Sequence, residues 1–251
     1  MKTLKIISVL CLIIFASCNN DDDNSNTITD YFPTKISTVQ TGSSNAVDMT
    51  IQYNSSDRIS QFNFVNSTQT NSYDITYSAD SSISSIINTR DDGSTLEYAF
   101  EYSNDKVSQV TLINSTSSIP LTVVYNEFAN TYSVPSGLGD LLFKYDASGN
   151  IININATAGN FQFSYGSSEG VFKNVPDNFP LILVISLGSS SSNIFNTLLF
   201  STKQLTGITF LGNNVNVEST RDENNEIETV KLIDGTTFDI QSTSTITYEL
   251  R

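Results

Sequence analysis

The chain has 251 residues, with no histidine, no tryptophan and two cysteines, and its formal charge is −14 at pH 7. A chain without histidine cannot use Ser-His-Asp or Cys-His catalysis, histidine zinc sites or a histidine pH switch. Its negative charge repels phosphate backbones, so we expect no nucleic-acid partner. The composition favours a neutral or cationic ligand.

The first 17 residues have the layout of a secretory signal peptide. Lys2 and Lys5 precede an apolar run from Ile6 to Phe15, and two small residues then precede Cys18. The run is shorter than the roughly 20 residues that a transmembrane helix needs. We therefore predict that residues 1–17 are removed on export.

The residues around the cleavage site carry a second signal. Phe15-Ala16-Ser17-Cys18 resembles the lipobox of bacterial lipoproteins, Leu-(Ala/Ser)-(Gly/Ala)-Cys, with mild departures at Phe15 and Ser17. The resemblance implies that Cys18 is lipidated and attaches the protein to a membrane of the cell envelope. The alternative is an ordinary signal peptide followed by an incidental cysteine. Because Cys11 leaves with the signal peptide, the mature domain has no disulfide and no thiol nucleophile.

A polar, acidic segment follows Cys18. It contains Asp21-Asp22-Asp23 and no large apolar residue before Thr27, so we expect residues 18–30 to form a disordered tether. An acidic run at this position resembles the surface-export signal of Bacteroidota lipoproteins. A plain spacer would instead leave the domain on the periplasmic side of the outer membrane, and both locations stay open.

One pattern recurs six times from residue 49 onward, namely two apolar residues at alternating positions followed by tyrosine. Strict alternation places each trio on one face of a strand, with the intervening polar residues toward water. We expect the tyrosines to be structural positions, with the rings in core or cross-strand packing and the hydroxyls near the rim. The six tyrosines are Tyr53, Tyr77, Tyr102, Tyr125, Tyr145 and Tyr165.

Turn-forming residues follow most of these tyrosines, and an aliphatic residue then opens the next strand. The next apolar residue comes three positions later, as in Ile59/Phe62 and Ile151/Ile154. Since a step of three breaks the strand period of two, the sequence predicts a bulge or turn position there. Each repeat is then one hairpin, and several hairpins side by side would bury a continuous apolar face. The predicted fold is all-β: an antiparallel meander of repeated hairpins, forming a curved or rolled sheet in a single domain over residues 31–251.

Residues 145–154, YDASGNIINI, resemble a YD (Rhs-type) repeat, whose pattern is Tyr-Asp-x-x-Gly-Arg-Leu-x-x-Ile/Val. Residues 53–62 are similar and keep the arginine as Arg58, whereas the other copies are looser. Lipobox, acidic tether and degenerate YD-like hairpins together resemble a family of Bacteroidota lipoproteins with no established activity. The resemblance implies a β-meander and a cell-envelope location, and it implies no activity.

The repeat breaks at residues 175–180, where two prolines end any strand. The apolar run 181–185 is too short to span a bilayer and is expected to be a buried core segment. Serines from residue 189 onward and the apolar spacing after them predict one short helix near 192–200. Strand patterns return after it and continue to the end of the chain.

No catalytic motif stands out, and a carboxylate pair is the remaining catalytic option. Glu97 and Glu101 share a strand face but lie about 13 Å apart along it, beyond the roughly 5–9.5 Å that glycosidases use. The acidic loops lack EF-hand spacing, so we expect no metal and no cofactor. The sequence favours a non-catalytic binding module for a glycan or a protein. A carboxylate-dependent glycoside hydrolase and a structural envelope protein are the alternatives.

Overall fold

The computed structural model describes residues 30–43, 46–135, 140–156, 159–175, 179–188 and 199–251. Within these ranges the chain forms seventeen strands and one helix, and neighbouring strands pair antiparallel. The elements are β1 Tyr31–Gln40, β2 Ala46–Tyr53, β3 Ile59–Val65, β4 Thr70–Tyr77, β5 Ile83–Arg90, β6 Thr95–Ser103, β7 Lys106–Ile113, β8 Ser118–Thr122, β9 Val124–Asn126, β10 Thr131–Val134, β11 Leu141–Tyr145, β12 Ile151–Ala156, β13 Gly159–Glu169, α1 Phe179–Gly188, β14 Lys203–Phe210, β15 Asn213–Arg221, β16 Ile227–Asp234 and β17 Ile240–Leu250.

The meander curls into a nearly closed, barrel-like sheet. β1 pairs with both β2 and β17, so the first and last strands lie side by side. Elsewhere in the ring, β8 pairs with β7 and β9 pairs with β10, and Val123 separates β8 from β9. The all-β antiparallel meander in a rolled sheet, as predicted from the sequence, is confirmed.

The two faces of the sheet differ as the alternation predicts. Apolar side chains such as Met49, Phe62 and Phe143 point inward and are fully buried. The polar residues between the apolar ones are exposed on the outer face: Gln52, Asp74, Glu101, Lys144 and Gln162. The core is therefore the interior of the ring.

Three of the hairpin turns share one turn chemistry. In residues 54–58 the side-chain oxygen of Asn54 accepts the backbone N–H groups of Ser56 and Arg58, and Asp57 has φ 56°. The turns at 146–150 and 222–226 repeat this arrangement, with Gly149 and Asn225 in the left-handed position. The ladder register then shifts where Tyr53 pairs with Ile59, which confirms the predicted bulge.

Tyrosine hydroxyls link consecutive strands at these bulges. Tyr77 donates to the Ile59 carbonyl at 2.9 Å, and Tyr102 donates to the Ile83 carbonyl at 2.8 Å. Tyr53, Tyr165 and Tyr248 donate in the same way to the carbonyls of Pro33, Ile151 and Ile227. The acceptor is in each case a backbone carbonyl on the strand that precedes the tyrosine's own strand in the sheet.

Helix α1 is enclosed by the sheet. Every residue from 179 to 185 is buried, as expected for a helix that is apolar on all sides. The Phe179 ring stacks on Tyr132 with centroids 3.8 Å apart and meets the edge of Phe143 at 5.6 Å. Pro180 lies in the first turn, where its missing N–H breaks no helical hydrogen bond.

This helix is not where the apolar spacing predicted one. Most of the helix predicted near 192–200 falls on residues 192–198, which lie outside the described residues, and Leu199 and Phe200 are buried but not helical. The run 181–185, which we expected only to be buried, is helical. A continuous apolar run has no periodicity that separates helix from strand, so the pattern could not assign it.

The hydroxyl–carbonyl links should contribute measurably to stability. We expect Tyr77→Phe to lower the free energy of unfolding by about 1 kcal/mol, because one intramolecular hydrogen bond is lost. Tyr31→Phe is the control, since no described residue bonds the Tyr31 hydroxyl. Urea denaturation of both variants tests this, and equal midpoints would refute it.

Stability should also fall in alkali. Burial raises the pKa of Tyr77 to about 12, against the opposing charge of Arg58, and raises the pKa of Tyr98 and Tyr165 as well. Unfolded tyrosine titrates near about pH 10, so the unfolded state loses protons first. The stabilisation is complete below about pH 10 and decreases as the pH rises toward 12. Urea midpoints measured between pH 8 and pH 12, with tyrosinate absorbance, should show this decline, whereas a constant midpoint would contradict it.

Candidate functional site

One end of the sheet holds the turns after the repeat tyrosines, both ends of the described chain and the base of the segment that carries α1. Because the strands alternate in direction, the turns that follow the repeat tyrosines all lie at this end, which we call the tyrosine end. The described chain also enters and leaves here, with Asp30 and Arg251 joined by two backbone hydrogen bonds of 3.2 and 3.0 Å. The segment between β13 and β14, which carries α1, starts and returns at the same end. The opposite end is the far end.

The two ends of this inserted segment are held against each other. The N–H of Gly170 donates to the Thr202 carbonyl at 2.8 Å, and a Cβ at Gly170 would lie 2.4 Å from the Ser201 carbonyl oxygen. The side-chain oxygen of the buried Asn150 accepts the hydroxyl and the N–H of Thr202, each at 3.0 Å. Only glycine fits at position 170, and the turn at 146–150 fixes the returning strand.

An ion pair fastens the same segment to the β15–β16 turn. The Lys173 ammonium donates to Glu226 at 2.7 Å and to Glu169 at 2.9 Å. The Glu226 side chain is 5% exposed and that of Glu169 is 57% exposed. Burial opposes the charge of Lys173, but the two carboxylates outweigh it and raise the pKa of the ammonium. The ion pair between Lys173 and the buried Glu226 carboxylate thus fixes the inserted segment to this turn.

Three adjoining cavities lie at the tyrosine end around the base of the inserted segment. Their volumes are about 290, 430 and 540 Å³. Val175 lines the first and second, while Lys106 and Tyr125 line the second and third. Together they form one depression, which we call the groove.

The first cavity has an apolar floor and a mixed rim. Ile59 and Leu181 form part of the floor, and Tyr77 and Tyr102 line its sides. The guanidinium of Arg58 lies 5.5 Å from the centre of the Tyr77 ring and donates to the Ser81 carbonyl. Both tyrosine hydroxyls are already bonded to backbone carbonyls, so they present ring surface rather than a hydroxyl donor.

The second and third cavities meet at Lys106 and Tyr125. The Lys106 ammonium lies 5.2 Å from the centre of the Tyr125 ring, and within the described ranges it forms no ion pair. Asn130 accepts the Tyr125 hydroxyl at 3.0 Å and donates to the Asp146 carbonyl at 2.8 Å. This amide holds the two walls together, and Lys106 presents a cation beside the Tyr125 ring.

Carboxylates surround the groove at four positions: Asp80, Asp105, Glu127 and Asp146. A hydrogen bond from the Ser78 hydroxyl lowers the pKa of Asp80, so its carboxylate stays ionised. Asp146 is used by its own turn, where it accepts the N–H groups of Ser148 and Asn150. A general acid needs a raised pKa, which Asp80 does not have. The rim suits hydrogen-bond acceptance and repels anions.

The predicted site residues divide between the groove and its surroundings. Tyr77, Tyr102, Tyr125 and Tyr145 line it, whereas Tyr53 and Tyr165 lie at the same end without lining the groove. Cys18 and the signal peptide lie outside the described residues. Glu97 and Glu101 lie on β6 and do not line the groove.

Sequence reasoning missed the polar residues that complete the groove. Lys106 follows a short turn whose Asn104 and Asp105 both have positive φ, and nothing in the repeat singles it out. Asn130 is separated from Asp146 by 15 residues of sequence. Its contacts depend on which strands become neighbours, and a single-strand pattern carries no such information.

Within the described ranges, no cluster of three acidic, histidine or cysteine side chains could hold a metal ion. In the same part of the chain, no helix is both long and apolar enough to cross a membrane.

Comparisons with known proteins identify similar folds. No protein-family model and no curated protein matches this chain. Among solved structures, it is similar to a porin-like protein from Bacteroides uniformis, with a TM-score of 0.51 and 14% identity over 87% of this chain and 96% of that one. A porin-like protein from Bacteroides vulgatus aligns with a TM-score of 0.47 and 11% identity over 88% of this chain and 99% of that one. At such identities the first likeness shows a shared fold.

The ion pair that fixes the inserted segment gives a test of its contribution to stability. We expect Lys173→Met to lower the free energy of unfolding by about 3–5 kcal/mol, because it leaves the buried Glu226 carboxylate unpaired. Glu169→Gln removes the exposed partner and should cost less than about 1 kcal/mol. Urea denaturation at pH 7 compares the two, and equal losses would contradict the assignment.

Proposed function

We propose that this chain is an envelope lipoprotein whose barrel-like domain binds a neutral or weakly basic glycan in the groove, without catalysis. The observation that carries the proposal is the groove itself, an aromatic-sided depression with a small set of polar groups. Ligand sites are typically concave, mostly apolar and oriented by a few polar groups. Tyr125 with Lys106, and Tyr77 with Tyr102, provide that combination.

A glycan fits this lining better than a flat protein surface does. Sugars offer apolar ring faces and many hydroxyls, and the groove offers ring edges beside the Lys106 donor and the Asp105 and Glu127 acceptors. Polyanionic ligands would be repelled both by the carboxylates of the rim and by the formal charge of −14 on the whole chain. We therefore favour sugars without acidic groups.

The polar outer face of the sheet supports attachment through lipid rather than through the sheet. Strands that face lipid carry an apolar outward band, yet outward positions here are polar, as at Gln52, Asp74 and Glu101. The membrane contact proposed from the sequence is the diacylated Cys18, in the outer membrane, with the domain in the periplasm or at the cell surface. The YD-repeat lipoproteins of Bacteroidota remain the proposed relatives.

Glycan-array binding of the mature chain, kept soluble by Cys18→Ser, tests the function. We expect Lys106→Ala to weaken binding of the best glycan at least about tenfold, since a charged hydrogen bond contributes roughly 1.5–3 kcal/mol. Lys144→Ala, on the exposed outer face of β11, is the matched control and should bind normally.

Two outcomes would overturn the proposal. A folded protein that binds no glycan would favour a structural role, and glycan binding that is equal in the Lys106 and Lys144 variants would place the site elsewhere. Release of sugar from a bound oligosaccharide would instead support the carboxylate-dependent hydrolase.

A further inference from the structure

A separate cavity lies at the far end of the ring, between β1, β2, β15, β16 and β17. Its volume is about 440 Å³, within the roughly 300–1,000 Å³ of small-molecule sites. Val217 of the core pairs with Leu232, and Leu232 pairs with Ser242, so these side chains point into the ring. No described residue lines both this cavity and the groove. We call it the far-end cavity.

The far-end cavity has an apolar side. Val47, Val215 and Leu232 line it, and each is only partly buried. A ligand with an apolar part would cover these side chains and remove them from water.

The two hairpin turns beside the cavity carry strained, exposed apolar residues. Leu211, in the β14–β15 turn, has φ 50°, and Phe238, in the β16–β17 turn, has φ 62°. All other non-glycine residues with positive φ in the described ranges are Asn, Asp or Ser, which tolerate this conformation better. Backbone outliers of this kind cluster at ligand sites. These two side chains therefore extend the apolar side of the cavity at its mouth.

A buried hydroxyl faces the far-end cavity. Ser242 lines it and is 7% exposed, and no described residue bonds its hydroxyl. Two positions further into the ring, Ser244 shares a hydrogen bond of 2.8 Å with Thr38. The Ser242 hydroxyl is thus a buried donor and acceptor that only a group inside the cavity can satisfy.

One carboxylate supplies the charge of the far-end cavity. Oδ1 of Asp234 accepts the N–H groups of Thr236 at 2.7 Å and Thr237 at 2.8 Å, while no described residue bonds Oδ2. The hydrogen bonds from Thr237 and Thr236 lower the pKa of Asp234, so the carboxylate is ionised at neutral pH. No basic residue of the described chain lines the cavity. A single carboxylate is too few for a calcium or magnesium ion, which takes several oxygen ligands.

We propose that the far-end cavity binds a small organic cation, a primary ammonium on a short apolar chain. The ammonium donates to Oδ2 of Asp234 and to the Ser242 hydroxyl, and the apolar chain packs against Val215 and Leu232. The proposal concerns other residues than the glycan site and depends neither on the groove nor on lipidation.

Calorimetric titration of the soluble Cys18→Ser chain with hexylamine, which is protonated at pH 7, tests this proposal. Hexanol and hexanoate carry the same alkyl chain with a neutral and an anionic head group. We expect hexylamine to bind saturably, at least about tenfold more tightly than hexanoate and about threefold more tightly than hexanol, because only the ammonium pairs with Asp234. Its advantage over hexanol should shrink at about 1 M salt.

Three substitutions locate the binding site. Asp234→Asn removes the charge and keeps an oxygen for the N–H groups of the turn, and it should weaken hexylamine binding at least about threefold. Asp239→Asn removes one charge from the same turn, outside the cavity lining, and is the matched control that should bind normally. Ser242→Leu fills the cavity and should abolish binding.

The proposal is overturned if hexylamine does not bind saturably, if hexanol binds as tightly, or if the two aspartate variants weaken binding equally. Hexylamine binding that survives Ser242→Leu, or that is lost in Lys106→Ala, would also overturn it, since the ligand would then lie elsewhere. Glycan binding is measured with the Lys106 and Lys144 variants, so the two proposals fail independently.

Discussion

The need to fill the interior of a large ring governs this structure. A closed sheet of about eight strands can be filled by its own side chains, whereas one of 16–18 strands leaves a channel. Here the seventeen strands turn apolar side chains inward, so an empty interior would expose the core to water. The chain supplies the missing volume from the segment between β13 and β14. Phe179 packs on β10 and β11, while Val171 and Leu199, which flank the helix, lie against β14–β16.

The groove results from the way in which the inserted segment fills the interior. The inserted segment must pass through the tyrosine end to reach the core, and the hairpin turns cannot close around it completely. Space remains between the turns and Val175, and the repeat places tyrosine rings along its sides. Hydroxyl–carbonyl links orient the Tyr77 and Tyr102 rings, and a hydrogen bond to the Asn130 side chain orients Tyr125. Four of the six repeat tyrosines therefore also line the groove, although the pattern by itself predicted core or cross-strand packing: Tyr77, Tyr102, Tyr125 and Tyr145.

The local features of the fold could be predicted, and the long-range ones could not. Alternation fixed which face of each strand is buried, and the step of three from Ile59 to Phe62 located the bulge. The closure of β1 on β17 left no sequence signal, because pairing between distant strands depends on the curvature of the whole sheet. The sequence predicted only that the α1 segment is buried, because a continuous apolar run shows no periodicity that separates a helix from a strand. Lys106 and Asn130 were missed because they become site residues only when separate hairpins meet.

The pairing of Tyr31 with Leu250 has a consequence for how the protein folds. Contacts between residues so far apart in sequence form late, because the entropy cost of closing the loop must be met before the contacts stabilise it. No intermediate can complete the ring until the last strand is available, and until then β1 and β17 are open edges. Until β17 pairs with β1, these open edges can pair with the strands of another copy. Since Asp30 and Arg251 lie side by side, a circular permutant that joins them and is opened at a far-end turn would retain every strand pair and could change only the order of assembly.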